Sequence, residues 1–175
     1  MFIDPSHIIS QFDLQSGARV ADFGAGTGTL SVLLAHAVGD KGKVYAIEVQ
    51  KGLLDRLKNH TKEARVHNVE ALWGDIERIN GTHLKDASVD AVVVSNVLFQ
   101  VDDKAGLTAE AKRILIPRGK VLLIDWTESF GGMGPHKTAV VTEKAGRELF
   151  ENGGFTFVKK IEAGQHHYGM IFRKS

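Results

Sequence analysis

The 175-residue chain has no cysteine, so neither a disulfide framework nor thiol chemistry is open to it. It lacks an excess of charge: 22 basic against 21 acidic residues leave a formal +1, with no general pull toward nucleic acid or an anionic membrane. Aromatic residues are few, at 7%, and offer little platform for stacking bases. No apolar run approaches the roughly 18 residues that span a bilayer. The opening Met1-Phe-Ile-Asp-Pro5 has neither the basic stretch nor the long apolar core of a secretory signal. A cytoplasmic location is the expectation from these features. Eight histidines are present, but no HxxxH or HExxH pair, so no metal site is expected. What remains is ordinary: 43% hydrophobic and 25% charged residues, enough for one self-sufficient core over 1–175.

Against this background one segment stands out. Val20-Ala-Asp-Phe-Gly-Ala-Gly-Thr-Gly28 runs from an apolar strand into three glycines at alternate positions, and a helical pattern follows at once. Strand, glycine turn and helix form the context that makes a glycine motif a ligand site. Glycines allow a sharp turn and close backbone approach, and the helix start offers unpaired N–H groups. A dinucleotide fingerprint would need its third glycine where Thr29 stands, and no Lys or Arg lies between Val20 and Lys41 to meet a phosphate. Asp22, just before the turn, would repel a pyrophosphate and welcome an ammonium or a sulfonium. The ligand expected is a cationic amino-acid-like group joined to a nucleoside.

Two further acids serve the nucleoside half. Glu48 ends the run Lys43-Val-Tyr-Ala-Ile-Glu48, twenty positions after Gly28, the spacing at which a second-strand carboxylate meets ribose hydroxyls. Asp75 closes Val69-Glu-Ala-Leu-Trp-Gly-Asp75; it either accepts from an adenine amino group or caps the turn that follows. Asn96, at the end of a fourth apolar run, is either a ligand group or a turn former. Trp73 reads as a packing residue. The basic cluster Lys112, Arg113, Arg118 and Lys120 reads as a solvated surface.

The pattern along the chain alternates. A short helix starts at Asp4 with Pro5 in its first position. Strands at 19–23, 43–48, 69–73, 89–95 and 120–125 alternate with helices near 28–38, 50–64 and 103–115, the last stopped by a turn at Pro117-Arg-Gly119. Residues 76–86 are a variable region. A Gly-rich segment, Ser129 to His136, precedes a helix over 143–152 capped by Thr142 and ended by Gly153-Gly154. A hairpin of 155–161 and 166–173 closes the chain. Alternating βα units argue for a parallel doubly wound sheet, with the hairpin as an antiparallel edge.

In this order the segments resemble the motifs of class I S-adenosylmethionine-dependent methyltransferases, over nearly the whole chain. VADFGAGTG is similar to the first motif, VYAIEV to the second, WGDIERI to the third, VDAVVVSNVLFQVDD to the fourth and AKRILIPRGKVLLIDW to the fifth. Within the family the likeness is to small quinone-biosynthesis C-methyltransferases and arsenite methyltransferases. The resemblance implies a three-layer Rossmann-like α/β fold: a mostly parallel seven-stranded sheet with an antiparallel C-terminal hairpin strand. It implies S-adenosylmethionine as cofactor and S-adenosylhomocysteine as product. It implies cofactor binding by Asp22, Gly24, Ala25, Gly26, Gly28, Glu48, Val49, Gly74, Asp75, Ile76 and Asn96, with Glu48 at the ribose, Asp75 near the adenine and Asn96 at the methionine end. Arsenite methyltransferases hold arsenic with cysteine thiols, which this chain lacks, so that activity is not expected.

Methyl transfer asks mainly for alignment, and a base only if the acceptor must lose a proton. Asp125, His136 and His167 are the available bases, none favoured by spacing, and His166 and His167 point to opposite faces of a strand. No residue is assigned as catalytic. A small-molecule acceptor is the leading expectation. An RNA or protein substrate, and a cofactor-binding module without catalysis, stay open, as does a homodimer. The acceptor pocket is expected from the N-terminal helix and lid segment (1–12), the loop after strand four (96–106) and the Gly-rich segment (129–140).

Overall fold

A computed structural model describes residues 4–175; the first three residues of the expected lid segment lie outside that range. Asp4 opens α1 (Pro5–Phe12) by accepting from the Ser6 N–H, and Pro5 sits where a missing N–H costs nothing. β1 (Arg19–Phe23) leads through the glycine turn into α2 (Thr29–Val38), β2 (Lys43–Glu48) into α3 (Lys51–Glu63), and β3 (Val69–Trp73) into an irregular stretch before β4 (Val89–Ser95). A 3-10 turn (Leu98–Gln100), α4 (Lys104–Ile114), β5 (Leu115–Trp126), a second 3-10 turn (Lys137–Ala139), α5 (Glu143–Asn152), β6 (Phe155–Ile161) and β7 (His167–Lys174) complete the chain.

The strands form one seven-stranded sheet in the order β3-β2-β1-β4-β5-β7-β6, parallel from β3 to β5 and antiparallel at β7. β4 explains its own central place. Val92 and Val94 face one core with α4 and α5, while Ala91 and Val93 face the other with α1 and α2, and none is more than 1% exposed. A strand buried on both faces reads as a continuous apolar run for that reason. Stacked Phe150 and Phe172, centroids 5.0 Å apart, seal the α5 side.

Two expectations are corrected. The first is the turn at Pro117-Arg-Gly119, which does not separate α4 from β5. The strand begins at Leu115, opposite Val89, and the register jumps to Lys120 opposite Ala91. Residues 116–119 are absorbed as a wide bulge, with Arg118 at φ 63°. The second is the basic cluster, of which only Arg118 is exposed. Lys120 Nζ donates to the carbonyls of Phe12 and Asp13, 3.0 Å each, and ties the end of α1 to the sheet. Arg113 reaches Glu110 at 2.7 Å and Asp86 at 2.6 Å.

Glu110 is the anchor of the irregular stretch. It is fully buried, and its carboxylate accepts from the N–H groups of Asn80 (2.9 Å) and Thr82 (3.2 Å) and from the Thr82 hydroxyl (2.7 Å). Burial pushes this carboxyl up, but Arg113, Thr82 and the two backbone donors outweigh burial and hold it below its ordinary value. The region read as variable is thereby pinned beside the C-terminal end of β3. No helix among the described residues is long and apolar enough to cross a membrane.

Candidate cofactor and acceptor site

The glycine turn leaves β1 at the C-terminal edge of the parallel strands, where open α/β sheets bind ligands. Gly24, Gly26 and Gly28 all take positive φ (67°, 58° and 85°), a region that L side chains rarely adopt. A Cβ at Gly24 would stand 2.8 Å from Val97, and one at Gly28 would stand 2.9 Å from Leu57. A Cβ at Gly26 would meet nothing within 4 Å, because that position borders a cavity. Gly28 caps α2 without any side-chain hydrogen bond to the helix start.

Glu48 is the hinge of this cavity. It is 5% exposed, and its two carboxylate oxygens accept from the N–H groups of Gly26 and Gln50, each at 2.9 Å. One carboxylate therefore shapes the glycine loop and the start of α3 together. An ionised carboxylate has about four lone-pair sites, so both oxygens keep capacity for ligand hydroxyls. Gly24, Gly26, Glu48, Val49, Gly74, Asp75 and Ile76 all line this cavity of about 260 Å³, closed on the other side by Val97, Gln100 and Val101. Asp75 also serves its own turn: Oδ1 accepts from the Glu77 N–H at 2.9 Å, and Oδ2 lies 3.2 Å from Arg78. Trp73 is 54% exposed rather than packed; its indole N–H donates to the Val49 carbonyl and Lys51 lies over its ring.

Four expected residues stand apart from that lining. Ala25 and Gly28 shape the turn, joined by a Gly28 N–H to Ala25 carbonyl bond of 3.0 Å. Asp22 is 2% exposed behind the loop, and the Ser31 hydroxyl donates to it at 2.6 Å. Burial pushes its carboxyl up to about 7, opposed by the Ser31 hydrogen bond and reinforced by Glu48. Asn96 lines a second cavity, of about 360 Å³, with Pro5, Ile8, Thr29, Leu30, Ser95, Ile124, Ala163 and His167. Its backbone is left-handed (φ 56°), its N–H donates to the Ile124 carbonyl, and its side-chain Oδ1 is buried without a hydrogen-bond partner.

The three available bases separate cleanly. Asp125 is fully buried and accepts from the N–H groups of Leu98 (2.9 Å) and Trp126 (2.8 Å), so it sets the chain path after β4. Burial holds its carboxyl above the ordinary value against these donors. His136 accepts from the Thr138 N–H and caps a 3-10 turn on the surface. His167 lines this second cavity, with its ring 4.2 Å from Trp126. The three segments expected at the acceptor pocket part company at this second cavity. The N-terminal helix supplies Pro5 and Ile8, and the end of β4 supplies Asn96, but no residue of 128–140 lines it. The Gly-rich segment instead folds over the back of this wall, with Phe130 stacked on His166 at 3.8 Å and Gly134 against the Trp126 ring. Ala163 and Ile124 were not anticipated; only the antiparallel placement of β7 beside β5, with His167 opposite Trp126, brings them in.

A family model described as a methyltransferase domain matches residues 14–168. The chain belongs to this methyltransferase family. It is 27% identical to a SAM-dependent methyltransferase from Aquifex aeolicus, with a TM-score of 0.91 over 99% of this chain and 91% of that one. It is 30% identical over 115 residues to a demethylmenaquinone methyltransferase of Listeria welshimeri, covering 66% of this chain and 48% of the relative. An arsenic(III) S-adenosylmethionine methyltransferase from Chlamydomonas reinhardtii shares the fold, at 22% identity and a TM-score of 0.71 over 91% of this chain and 64% of that one. The chain spans about a third to a half of the curated relatives it matches, 34% and 48% of two of them.

The Aquifex aeolicus relative is named for its dependence on S-adenosylmethionine, and the residues present here suit that cofactor. The bare face of Gly26 leaves room for a ligand, Glu48 and Asp75 offer acceptors for hydroxyl and amino groups, and the orphaned Asn96 Oδ1 asks for a donor. Among the described residues, no cluster of His, Asp or Glu could hold a metal ion.

Proposed function

We propose that this chain transfers the methyl group of S-adenosylmethionine to a small-molecule acceptor. The observation that carries the proposal is the adjacency of two cavities along one sheet edge: one built around the glycine turn and Glu48, the other reaching Asn96 from the far side of that turn. In this reading Gly24, Gly26, Glu48, Val49, Gly74, Asp75 and Ile76 hold the nucleoside, Glu48 by the ribose hydroxyls and Asp75 by the adenine. Asp22, Ala25, Gly28 and Asn96 shape and receive the amino-acid end. The bound cofactor supplies an activated methyl group on a sulfonium, so the protein need not activate the donor.

The work left to the chain is alignment and exclusion of water, which is worth about 7–11 kcal/mol in ideal cases. The parts that do this are rigid. Glu48 fixes the loop, Asp125 fixes the chain after β4, and Glu110 pins the segment beside Asp75. The relatives named demethylmenaquinone methyltransferases support a small-molecule acceptor. The test is to incubate methyl-labelled cofactor with a fractionated cell extract and follow the label. Label in a small-molecule fraction is the expected result. Label in RNA or protein would replace the acceptor class, and cofactor binding with no transfer would reduce the chain to a binding module.

A further inference from the structure

The second cavity has a chemistry of its own. Pro5, Ile8, Leu30, Ile124 and Ala163 make its apolar wall, and Thr29, Ser95, Asn96 and His167 its polar points. No Asp, Glu, Lys or Arg lines it. Two buried acids near it are already engaged, Asp22 by Ser31 and Asp125 by the backbone of Leu98 and Trp126. At Ala163 and His167 this space adjoins a larger one of about 490 Å³, lined also by Ile161, Gly164, Tyr168 and Gly169. Of the charges there, Lys160 pairs with Glu143, and the Glu162 carboxylate is 80% exposed and lies 3.6 Å from His7 on α1; the Tyr168 hydroxyl donates to the Val141 carbonyl at 2.9 Å.

From this arrangement we infer that the acceptor is a neutral, largely apolar molecule bearing a hydroxyl, and that His167 receives the hydrogen bond of that hydroxyl. The inference rests on the methyltransferase reading and narrows its substrate class. A carboxylate, phosphate or ammonium entering the 360 Å³ space would lose its water and find no counter-charge, which strongly disfavours it. Volumes of this size suit a small organic molecule. The inner end, at Thr29, Ser95 and Asn96, lies against the glycine turn and the end of β4 and belongs to the cofactor's amino-acid end. Among the residues lining the 360 Å³ space, the polar point left for the acceptor is His167. Burial, with His166 beside it, holds the His167 ring below its ordinary value, so the neutral ring, with one nitrogen free to accept, is present at pH 7. Trp126 at 4.2 Å backs the ring and limits its rotation.

The test uses the whole chain saturated with S-adenosylhomocysteine and four probes of one ring size: 1-naphthol, 1-methoxynaphthalene, 1-naphthoate and 1-naphthylmethylammonium. NMR titration reads their affinities, and calorimetry on the same sample reads the homocysteine product. We expect 1-naphthol to bind at least tenfold tighter than either ion. His167→Phe keeps a ring against Trp126 and should weaken 1-naphthol roughly threefold to tenfold, the worth of one hydrogen bond. It should leave 1-methoxynaphthalene, which has no hydroxyl proton, unchanged. His167→Gln restores an acceptor and should recover most of the loss. Ions that bind as well as 1-naphthol, equal losses for both neutral probes in His167→Phe, or no naphthol binding by protein that holds S-adenosylhomocysteine would each overturn the inference. Failure to bind S-adenosylhomocysteine would instead bring down the methyltransferase reading on which it rests.

Discussion

Glu48→Ala separates what the carboxylate does for the loop from what it does for the ligand. Removing it strips the acceptor from the N–H groups of Gly26 and Gln50, both bonded at 2.9 Å. Hydrogen bonds to a charged group contribute about 1.5–3 kcal/mol each. Gln50 is exposed and Gly26 only half-buried, so water takes over part of that role once the carboxylate is gone. The loss of stability should therefore be about 2–3 kcal/mol in all, which a domain with roughly 5–15 kcal/mol survives. Affinity should fall further than this packing argument requires, because the ribose hydroxyls lose their acceptor too. One charge-assisted hydrogen bond, about 1.5–3 kcal/mol, corresponds to a roughly tenfold to 150-fold weaker Kd. Urea unfolding measures the first effect, and calorimetry with S-adenosylmethionine and S-adenosylhomocysteine measures the second. Glu48→Gln keeps one acceptor oxygen but turns an amide NH₂ toward the other N–H, and should fall between wild type and alanine in both assays. A folded Glu48→Ala protein whose Kd stays within about twofold of wild type would remove Glu48 from the cofactor site.

The protein should bind S-adenosylmethionine or S-adenosylhomocysteine and show no comparable affinity for NAD, NADP or ATP, since Asp22 stands behind a loop without any basic residue; micromolar NAD binding with none for the methyl donor would refute this. The Asp22 carboxyl, raised to about 7, binds its proton more tightly in the folded state than in the unfolded one. Stability should therefore drop as pH climbs from about 4 to about 7 and level off above, and Asp22→Asn should remove that slope in urea melts; an unchanged slope would show that another group carries it. Glu110→Ala leaves Arg113, whose side chain is 13% exposed, without its buried partner and should cost about 3–5 kcal/mol by denaturant unfolding; a loss under about 1 kcal/mol would contradict the anchoring role. Gly131 and Gly132 (φ 56° and 74°) form the two-residue turn that bridges Phe130 to Met133, with open space around both Cβ positions. Alanine at both should cost about 1–2 kcal/mol each through the backbone alone and lower turnover on the labelled acceptor while cofactor affinity holds, with Gly131→Asn largely tolerated; unchanged turnover would make the segment a passive linker.

The first four strands were legible to the residue because their limits are local. Arg19–Phe23, Lys43–Glu48, Val69–Trp73 and Val89–Ser95 are apolar runs bounded by glycine, acid or loop residues, and parallel pairing inside a βα repeat needs no distant information. β5 was not legible in the same way. Pro117-Arg-Gly119 carries the chemistry of a turn, and Arg118 does adopt a left-handed backbone. Yet Leu115 pairs with Val89 before the bulge and Lys120 with Ala91 after it, so the ladder closes around the turn instead of starting after it. The cause is a contact between residues far apart in sequence. Arg113 was misread for a similar reason: its partners Asp86 and Glu110 mark it as internal only once the 76–86 stretch is folded over α4.

The two halves of the site differ in the same respect. The cofactor half is written in short range, with the glycine turn, Glu48 and Asp75 each closing a consecutive strand, and seven of the eleven expected residues line its cavity. The half proposed for the acceptor is assembled from the start of α1, the end of β4 and the start of β7, pieces that lie far apart along the chain. What joins them is the insertion of β7 between β5 and β6, which sets His167 against Trp126. A hairpin can be foreseen from its turn, but which strand docks on β5 is decided by burial. β7 carries Tyr168, Met170, Ile171 and Phe172 at 5% exposure or less, whereas β6 shows three exposed residues in a row, Val158, Lys159 and Lys160. The more apolar strand takes the inner place and brings His167 with it. That order of strands, rather than any motif, places His167 in the second cavity. On the proposed reading, substitutions on α1 or at the start of β7 should therefore alter acceptor choice while the glycine turn and Glu48 remain as they are.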